Sequence, residues 1–240
     1  MPSWPAPEFP LPSLSKSNLI TSNMKVALIG ATGFVGTAIL KELIDRGHEV
    51  TAIARHPEKI AIKSPHIHPV AADVMDAKQV ATAVKGTDAV VSAFNSGWTN
   101  PKIYEDFLIG ARAIQAGVKA SGVKRLIVIG GAASLEIKPG LQLLDTPNFP
   151  AEYKPGASAA RDYLNEIRKE DVLQWTFFSP AIFMDQAHSG IRKGHYRTGI
   201  DSPVFDAEGK SVLSVEDLAL VIVDELEKPA HIRQRFTAAY

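Results

Sequence analysis

The segment Met24–Gly36, MKVALIGATGFVG, decides the fold of this chain. It opens with a short apolar run of strand length, and glycines then stand at positions 30, 33 and 36. Apolar residues at positions 34, 35, 39, 40, 43 and 44 follow with the spacing of one helix face. A strand that leads through a glycine turn into a helix presents free N–H groups and a positive dipole to phosphates. The segment therefore predicts a dinucleotide-binding turn, with a tight turn that binds nothing as the alternative.

Each of the three positions in this turn needs glycine for a different physical reason. The first allows the tight turn, the second lets the backbone approach a pyrophosphate, and the third lets the helix pack close to the sheet. We predict that the cofactor contacts of the turn come from Gly30, Thr32, Gly33, Phe34, Val35 and Gly36.

Strand and helix patterns alternate along the rest of the chain. Strands are predicted at Glu49–Ala54, Val70–Ala72, Asp88–Phe94, Arg125–Ile129 and Gln174–Ser179, and helices at 102–121, 157–169 and from 214 to about 228. Near-continuous apolar strands that alternate with helices are typical of a parallel sheet covered on both faces. We therefore predict an α/β fold, a Rossmann-type doubly wound parallel sheet with helices on both faces and a small C-terminal substrate lobe. Its ligands should bind at the carboxyl ends of the strands.

The first 23 residues differ from the rest in composition. Five of the first twelve are proline, which favours an extended or flexible arm. We expect this arm, 1–23, to have no catalytic function; docking on a partner or neighbouring subunit is the alternative. Residues 24–240 are then expected to form a single NAD(P)-binding domain, with substrate-side elements mainly at 134–156 and 181–213.

Composition limits the partners. The 26 basic residues balance 26 acidic ones, so charge gives no reason to expect a nucleic acid. The absence of cysteine excludes disulfides, thiolate metal sites and a thiol nucleophile. No apolar run is long enough for a membrane span.

His66 and His68 share a strand face without the spacing of a metal site, so we expect no metal. We expect a cytoplasmic monomer or homodimer whose partner is a small-molecule acceptor.

The spacing G-x-x-G-x-x-G resembles that of atypical and extended members of the short-chain dehydrogenase/reductase superfamily. Further stretches are similar to the NADH-flavin reductase group in the NAD(P)H-binding, NmrA-like branch of these epimerase/dehydratase-like proteins: Ala93–Pro101, Gly130–Glu136, Trp175–Pro180, Ser214–Pro229 and Arg235–Tyr240. The resemblance covers Met24 to Tyr240 and implies an NAD(P)-binding Rossmann domain.

The end of the second strand indicates which nicotinamide cofactor is bound. NAD-binding domains usually place an acidic residue there to bind the ribose 2′-hydroxyl. This chain has Arg55 instead, 19 residues after Gly36. A guanidinium can bind a 2′-phosphate with paired hydrogen bonds. We therefore predict a preference for NADP(H) over NAD(H), against the alternative of an exposed surface arginine.

The resemblance also implies positions along the cofactor. Asp73 is similar to the family's adenine contact and Val74 backs it, although Asp73 could instead cap the following helix. Ala93 and Phe94 should flank the adenosine and the nicotinamide ribose. Pro180 resembles the proline that lies over the nicotinamide.

The Tyr-x-x-x-Lys pair of most active short-chain dehydrogenases is missing. Tyr104, Tyr153 and Tyr163 are not followed by lysine four residues later. Ser134, where the superfamily carries its active-site serine, and Tyr153 are the remaining candidates for catalysis. On the substrate side, Trp98 could stack on a flavin ring and Phe183 enters the pocket.

Two charged segments have open interpretations. The basic stretch Ile191–Arg197 could meet a flavin phosphate, although a solvated loop is the simpler reading. The acidic helix Glu216–Glu227 is interpreted as a solvated face.

These observations favour an enzyme that transfers hydride from NADPH to a flavin, a quinone or a similar flat acceptor, with FMN or FAD as a substrate. Such a transfer needs ring stacking more than a proton donor. A non-catalytic NADP(H) sensor of NmrA-like type is the first alternative. The second is a reductase or isomerase of a small carbonyl metabolite that uses Ser134 and Tyr153.

Overall fold

The computed structural model describes residues 23–240, so the predicted arm lies outside the described part of the chain except for its last residue. The strands are β1 (Lys25–Ile29), β2 (Glu49–Ala54), β3 (Ile67–Ala71), β4 (Ala89–Ser92), β5 (Arg125–Ile129), β6 (Glu136–Lys138), β7 (Leu141–Gln142), β8 (Gln174–Ser179), β9 (Arg197–Gly199) and β10 (Gln234–Ala239). The helices are α1 (Phe34–Asp45), α2 (Ala77–Val84), α3 (Ile103–Ser121), α4 (Lys154–Ile167) and α5 (Val215–Glu227).

Eight strands form the main sheet in the order β3-β2-β1-β4-β5-β8-β10-β9. Neighbouring strands are parallel from β3 to β10, and β9 adds an antiparallel edge. This confirms the predicted doubly wound Rossmann-type sheet. The two C-terminal strands, β10 and β9, both join the main sheet. The hairpin of β6 and β7 stands apart as a two-stranded sheet.

Two apolar layers cover the sheet, as the near-continuous apolar strands predict. On one face, α1 and α5 pack over β1, β2, β4 and β10. On the other face, α2, α3 and α4 pack together and bury alternate residues of β1, β2, β4, β5 and β8. Residues of β1 illustrate the division, since Leu28 belongs to the first layer and Ile29 to the second.

Local signals set several helix ends. The Oγ of Ser214 accepts a hydrogen bond from the backbone N–H of Asp217 at 3.2 Å and so caps α5. Gly122 ends α3 with a φ of 86°, the left-handed conformation that glycine adopts at low cost. The structure begins α4 three residues before the start of the predicted helix 157–169. The helix begins at Lys154 because Pro155 fits the first turn, where its missing N–H costs nothing.

Membrane-spanning helices and metal sites can be assessed for the described residues. Between residues 23 and 240, no helix is both long and apolar enough to cross a membrane. In the same range, no three His, Asp or Glu side chains are arranged to hold a metal ion. His66 and His68 instead share the carboxylate of Glu49, at 2.6 and 2.9 Å.

Candidate functional site

A cleft of about 500 Å³ lies at the carboxyl ends of β1, β2, β4, β5 and β8. The strand order reverses between β1 and β4, which is where doubly wound sheets bind their ligands. The described residues that line this cleft are Ile29, Gly30, Thr32, Gly33, Phe34, Val35, Ile53, Ala54, Arg55, Ala72, Val74, Ala93, Phe94, Asn95, Gly97, Trp98, Ile129, Gly130, Pro180 and Met184.

The glycine turn forms one wall of the cleft. Gly30 has a φ of 81°, and a Cβ there would stand 2.7 Å from the carbonyl oxygen of Ala93, so the position requires glycine. A Cβ on Gly36 would stand 2.0 Å from the carbonyl oxygen of Gly30, which keeps α1 tight against the turn. A Cβ on Gly33 would contact only the carbonyl oxygen of Gly30, at 3.4 Å. Gly33 therefore leaves room on the cleft side rather than inside the protein.

The unpaired backbone N–H groups at the N-terminus of α1 face the open space beside Gly33. Gly33 is the N-cap and offers no capping side chain, and the first turn of the helix contains no acidic residue. The first N–H groups of a helix have no partner within the helix and carry a partial positive charge. Thr32, Phe34 and Val35 also line the cleft here. These features fit the pyrophosphate of a dinucleotide.

Arg55 lies at the end of β2 on the same wall. Its side chain is exposed and forms no ion pair with any residue between 23 and 240. The nearest acidic residue along the chain, Glu58, pairs with His56 at 3.2 Å. The guanidinium is therefore free to bind an anionic group in the cleft.

The two residues predicted at the adenine end have different environments. Val74 lines the cleft together with Ala72. Asp73 does not line it, and its Oδ1 accepts a hydrogen bond from the N–H of Met75 at 3.0 Å. Asp73 thus stabilises the turn before α2 and does not cap the helix, because the N-cap is Asp76, whose Oδ1 accepts a hydrogen bond from the N–H of Lys78 at 2.8 Å.

The opposite end of the cleft is apolar and aromatic. Ala93 and Phe94 follow β4, and the Phe94 ring stacks on Phe107 at 5.9 Å between ring centroids. Pro180, which is buried, and Met184 follow β8. Trp98 closes this end with a side chain that is 60% exposed.

Ser134 lies away from the cleft. It is 3% exposed, and both its carbonyl oxygen and its Oγ accept hydrogen bonds from Nη1 of Arg235, at 3.2 and 3.4 Å. Its hydroxyl is therefore part of a buried contact between the short turn after β5 and β10. This placement corrects the prediction that Ser134 lines the site, because burial removes it from any bound acceptor.

The other two substrate-side candidates lie at the edge of the cleft. Tyr153 does not line it, but its ring stands edge-on to the Trp98 ring, with 5.5 Å between centroids and an interplanar angle of 86°. Phe183 is 44% exposed, does not line the cleft and lies 5.5 Å from the ring of His188. The following residue, Met184, takes the lining position that was predicted for Phe183.

Arg55 is the only charged residue among the described residues that line the cleft. Their set also contains no Ser, Tyr or His, so no side chain there has an ordinary proton-transfer role. The polar side chains that remain are Thr32, Asn95 and the indole of Trp98.

The two charged segments of uncertain role bind each other, not the cleft. Arg192 contacts Glu42 of α1 at 2.8 Å, and the N–H groups of Lys193 and Gly194 donate to the buried carboxylate of Asp217 at 2.7 and 2.9 Å. Burial alone would raise the pKa of Asp217, but hydrogen bonds from Tyr240 and these N–H groups hold it below its usual range. The acidic helix was expected to present a solvated face, and this expectation was wrong, because Asp217 and Glu225 are buried. The basic stretch is mostly exposed, as its interpretation as a solvated loop predicts.

Comparison with known proteins agrees with this geometry. The family model described as NAD(P)H-binding matches residues 30–229, from the glycine turn to the end of α5. The chain belongs to the NAD(P)H-binding family. This match agrees with the predicted resemblance to atypical short-chain dehydrogenase/reductases, and the cofactor that the family binds is a nicotinamide dinucleotide.

Individual members of the family match along most of their length. The uncharacterized protein YwnB of Bacillus subtilis is 40% identical over 216 residues, which are 89% of this chain and 97% of YwnB. A solved structure from Bacteroides thetaiotaomicron, described as a "putative epimerase", is 46% identical with a TM-score of 0.84 and covers 91% of this chain and 97% of its own. A "putative NADH-flavin reductase" from Streptococcus pneumoniae is 36% identical with a TM-score of 0.78 and covers 90% and 99%.

Sequence reasoning missed several lining residues. Gly130 is one, and a Cβ there would stand 2.0 Å from the ring of Phe177, so the position of this ring requires glycine at the end of β5. Its position directly after an apolar strand was the available signal. Asn95, Gly97 and Met184 lie on loops whose conformation no local pattern indicates.

Proposed function

We propose that this protein is an NADPH-dependent reductase that passes hydride to a flat conjugated acceptor such as a flavin or a quinone. The observation that carries the proposal is the absence of Ser, Tyr, His, Lys, Asp and Glu from the described lining of the cleft. Reduction of a carbonyl and epimerisation at carbon both need a positioned acid or base. The cleft instead offers a phosphate turn at one end and apolar rings at the other.

When bound, NADPH supplies the hydride, and the acceptor takes its proton from solvent. The glycine turn and the N-terminus of α1 bind the pyrophosphate, and Arg55 binds the 2′-phosphate. Pro180 and Phe94 orient the nicotinamide end, and Trp98 holds the acceptor ring. Positioning of two reactants in this way accounts for a large part of the acceleration in such transfers.

The names of the relatives indicate two different reactions. The description of the S. pneumoniae protein agrees with the proposal, whereas that of the B. thetaiotaomicron protein names an epimerase. The position of Ser134 supports the reductase over the epimerase. It is buried against Arg235, so neither epimerisation nor carbonyl reduction by a Ser–Tyr pair is favoured.

An anaerobic assay tests the proposal. NADPH oxidation is followed at 340 nm with FMN, FAD and a small quinone offered in turn, with NADH as the parallel donor. We expect saturable turnover with at least one acceptor and a preference for NADPH. Tight NADPH binding, measured by fluorescence in the same samples, without turnover on any acceptor would contradict the reductase and favour the NADP(H) sensor.

A further inference from the structure

Trp98 is a large apolar side chain that is held in place although more than half of it is exposed. The loop that carries it is closely hydrogen-bonded. The N–H of Gly97 donates to Oδ1 of Asn95 at 2.7 Å, and the side chain of Asn100 donates to Asp106 at 2.8 Å. A fixed, exposed aromatic ring at the mouth of a cleft is typical of a ligand-binding surface.

The start of α4 supports this ring from behind. A Cβ built on Gly156 would stand 2.9 Å from Cζ3 of Trp98 and 2.8 Å from Cδ1 of Ile103. The indole therefore lies in the space that the missing side chain of Gly156 leaves open. Tyr153 supports the same indole edge-on, at 5.5 Å between ring centroids.

Gly156 lies in the first turn of α4, and glycine loses more backbone freedom on folding than alanine, so its presence there needs a reason. Backbone conformation does not explain this glycine, because Gly156 does not have a positive φ. The reason is steric. Ile103 is 6% exposed and has little room to move, so a methyl group at position 156 would displace the exposed Trp98.

We infer that Gly156 and Tyr153 are positioning residues that set the Trp98 ring against the acceptor and thereby determine the enzyme's specificity for flat, conjugated rings. This inference rests on the proposed function. It also assigns a new role to Tyr153, which acts through its aromatic ring and not through its hydroxyl.

Acceptor kinetics and binding test the inference. We expect Gly156→Ala and Tyr153→Ala each to raise the acceptor KM about 3- to 10-fold, the range of one aromatic contact, while the Kd for NADPH stays the same. Tyr153→Phe keeps the ring and should restore the wild-type KM. In a Trp98→Ala background, Gly156→Ala should have no further effect on KM, because the displaced ring is gone.

A second readout separates this inference from the proposed function. Near-UV circular dichroism of the unliganded protein, with Trp98→Phe to identify the signal of Trp98, reports the ring's environment without turnover. A changed Trp98 signal in Gly156→Ala and Tyr153→Ala, but not in Tyr153→Phe, supports the positioning role even if no acceptor is reduced. Unchanged signals together with unchanged FMN affinity in both variants would overturn it, as would loss of the hydride-transfer rate in Tyr153→Phe.

Discussion

Replacement of Arg55 is expected to change the cofactor preference of this protein. The guanidinium is exposed, lines the cleft and has no ion-pair partner among residues 23–240, so its whole charge is available to the 2′-phosphate of NADPH. A hydrogen bond to a charged group contributes about 1.5–3 kcal/mol, and exposure to water favours the lower part of this range. We therefore expect Arg55→Ala to weaken NADPH binding about 10- to 100-fold.

Charge reversal should have a larger effect. Arg55→Glu removes the attraction and adds repulsion of about 1 kcal/mol between like charges at contact distance, so NADPH binding should weaken about 50- to 500-fold. NADH has a neutral 2′-hydroxyl, and its Kd should change by no more than about 3-fold. Because the pair is exposed, the discrimination should shrink as salt rises from about 0.05 to 0.5 M.

The assay is titration of cofactor fluorescence with NADPH and NADH in parallel. Lys59→Glu is the matched control, because it reverses an exposed charge on the adjoining turn without lining the cleft. It should change both Kd values little. Equal losses of NADPH and NADH affinity in Arg55→Glu would refute the assignment of Arg55 as the residue that selects NADPH.

Three further predictions concern stability. Gly36→Ala forces a Cβ to within 2.0 Å of a backbone oxygen and should lower the free energy of unfolding by at least about 1–3 kcal/mol in urea titrations, whereas Gly33→Ala should fold normally and lose cofactor affinity. Glu225→Gln leaves the buried guanidinium of Arg125 without its charge partner at 2.8 Å and should cost about 3–5 kcal/mol by the same measurement; a loss below about 1 kcal/mol would contradict the importance of this pair. Burial alone would raise the pKa of Glu170, but hydrogen bonds from backbone N–H groups and from neighbouring side chains lower it to about 2. Its contribution to stability is therefore present above about pH 4.5 and lost as the pH falls toward 2, so Glu170→Gln should destabilise the protein at pH 7 and flatten the acid limb of its stability profile.

The sequence predicted the sheet and the phosphate turn because both depend on local patterns. Apolar runs of strand length, helix caps such as Ser214 and glycines at fixed spacing act within a few residues of each other. The third glycine of the turn could be assigned from spacing alone, and the clash at Gly36 explains why. Arg55 was placed correctly on the cleft because it directly follows a predicted strand.

The acceptor end could not be predicted in the same way, because it depends on contacts between distant segments. Ser134 follows a strand as expected, but Arg235, which is 101 residues away, draws its hydroxyl into the interior. Asp217 belongs to an apparently solvated helix face, yet the loop after β8 folds back and donates two N–H groups to it. Such pairings have no signal in the local sequence.

We propose that the protein positions two rings and supplies no proton in the hydride-transfer step. Anaerobic stopped-flow absorbance at 340 nm, with the NADPH complex mixed with a quinone between about pH 5.5 and 9, tests it most directly. We predict a single-turnover decay whose rate shows no pKa that belongs to the protein. Absence of any decay, or a rate that titrates with a protein group and disappears in Tyr153→Phe, would contradict the account.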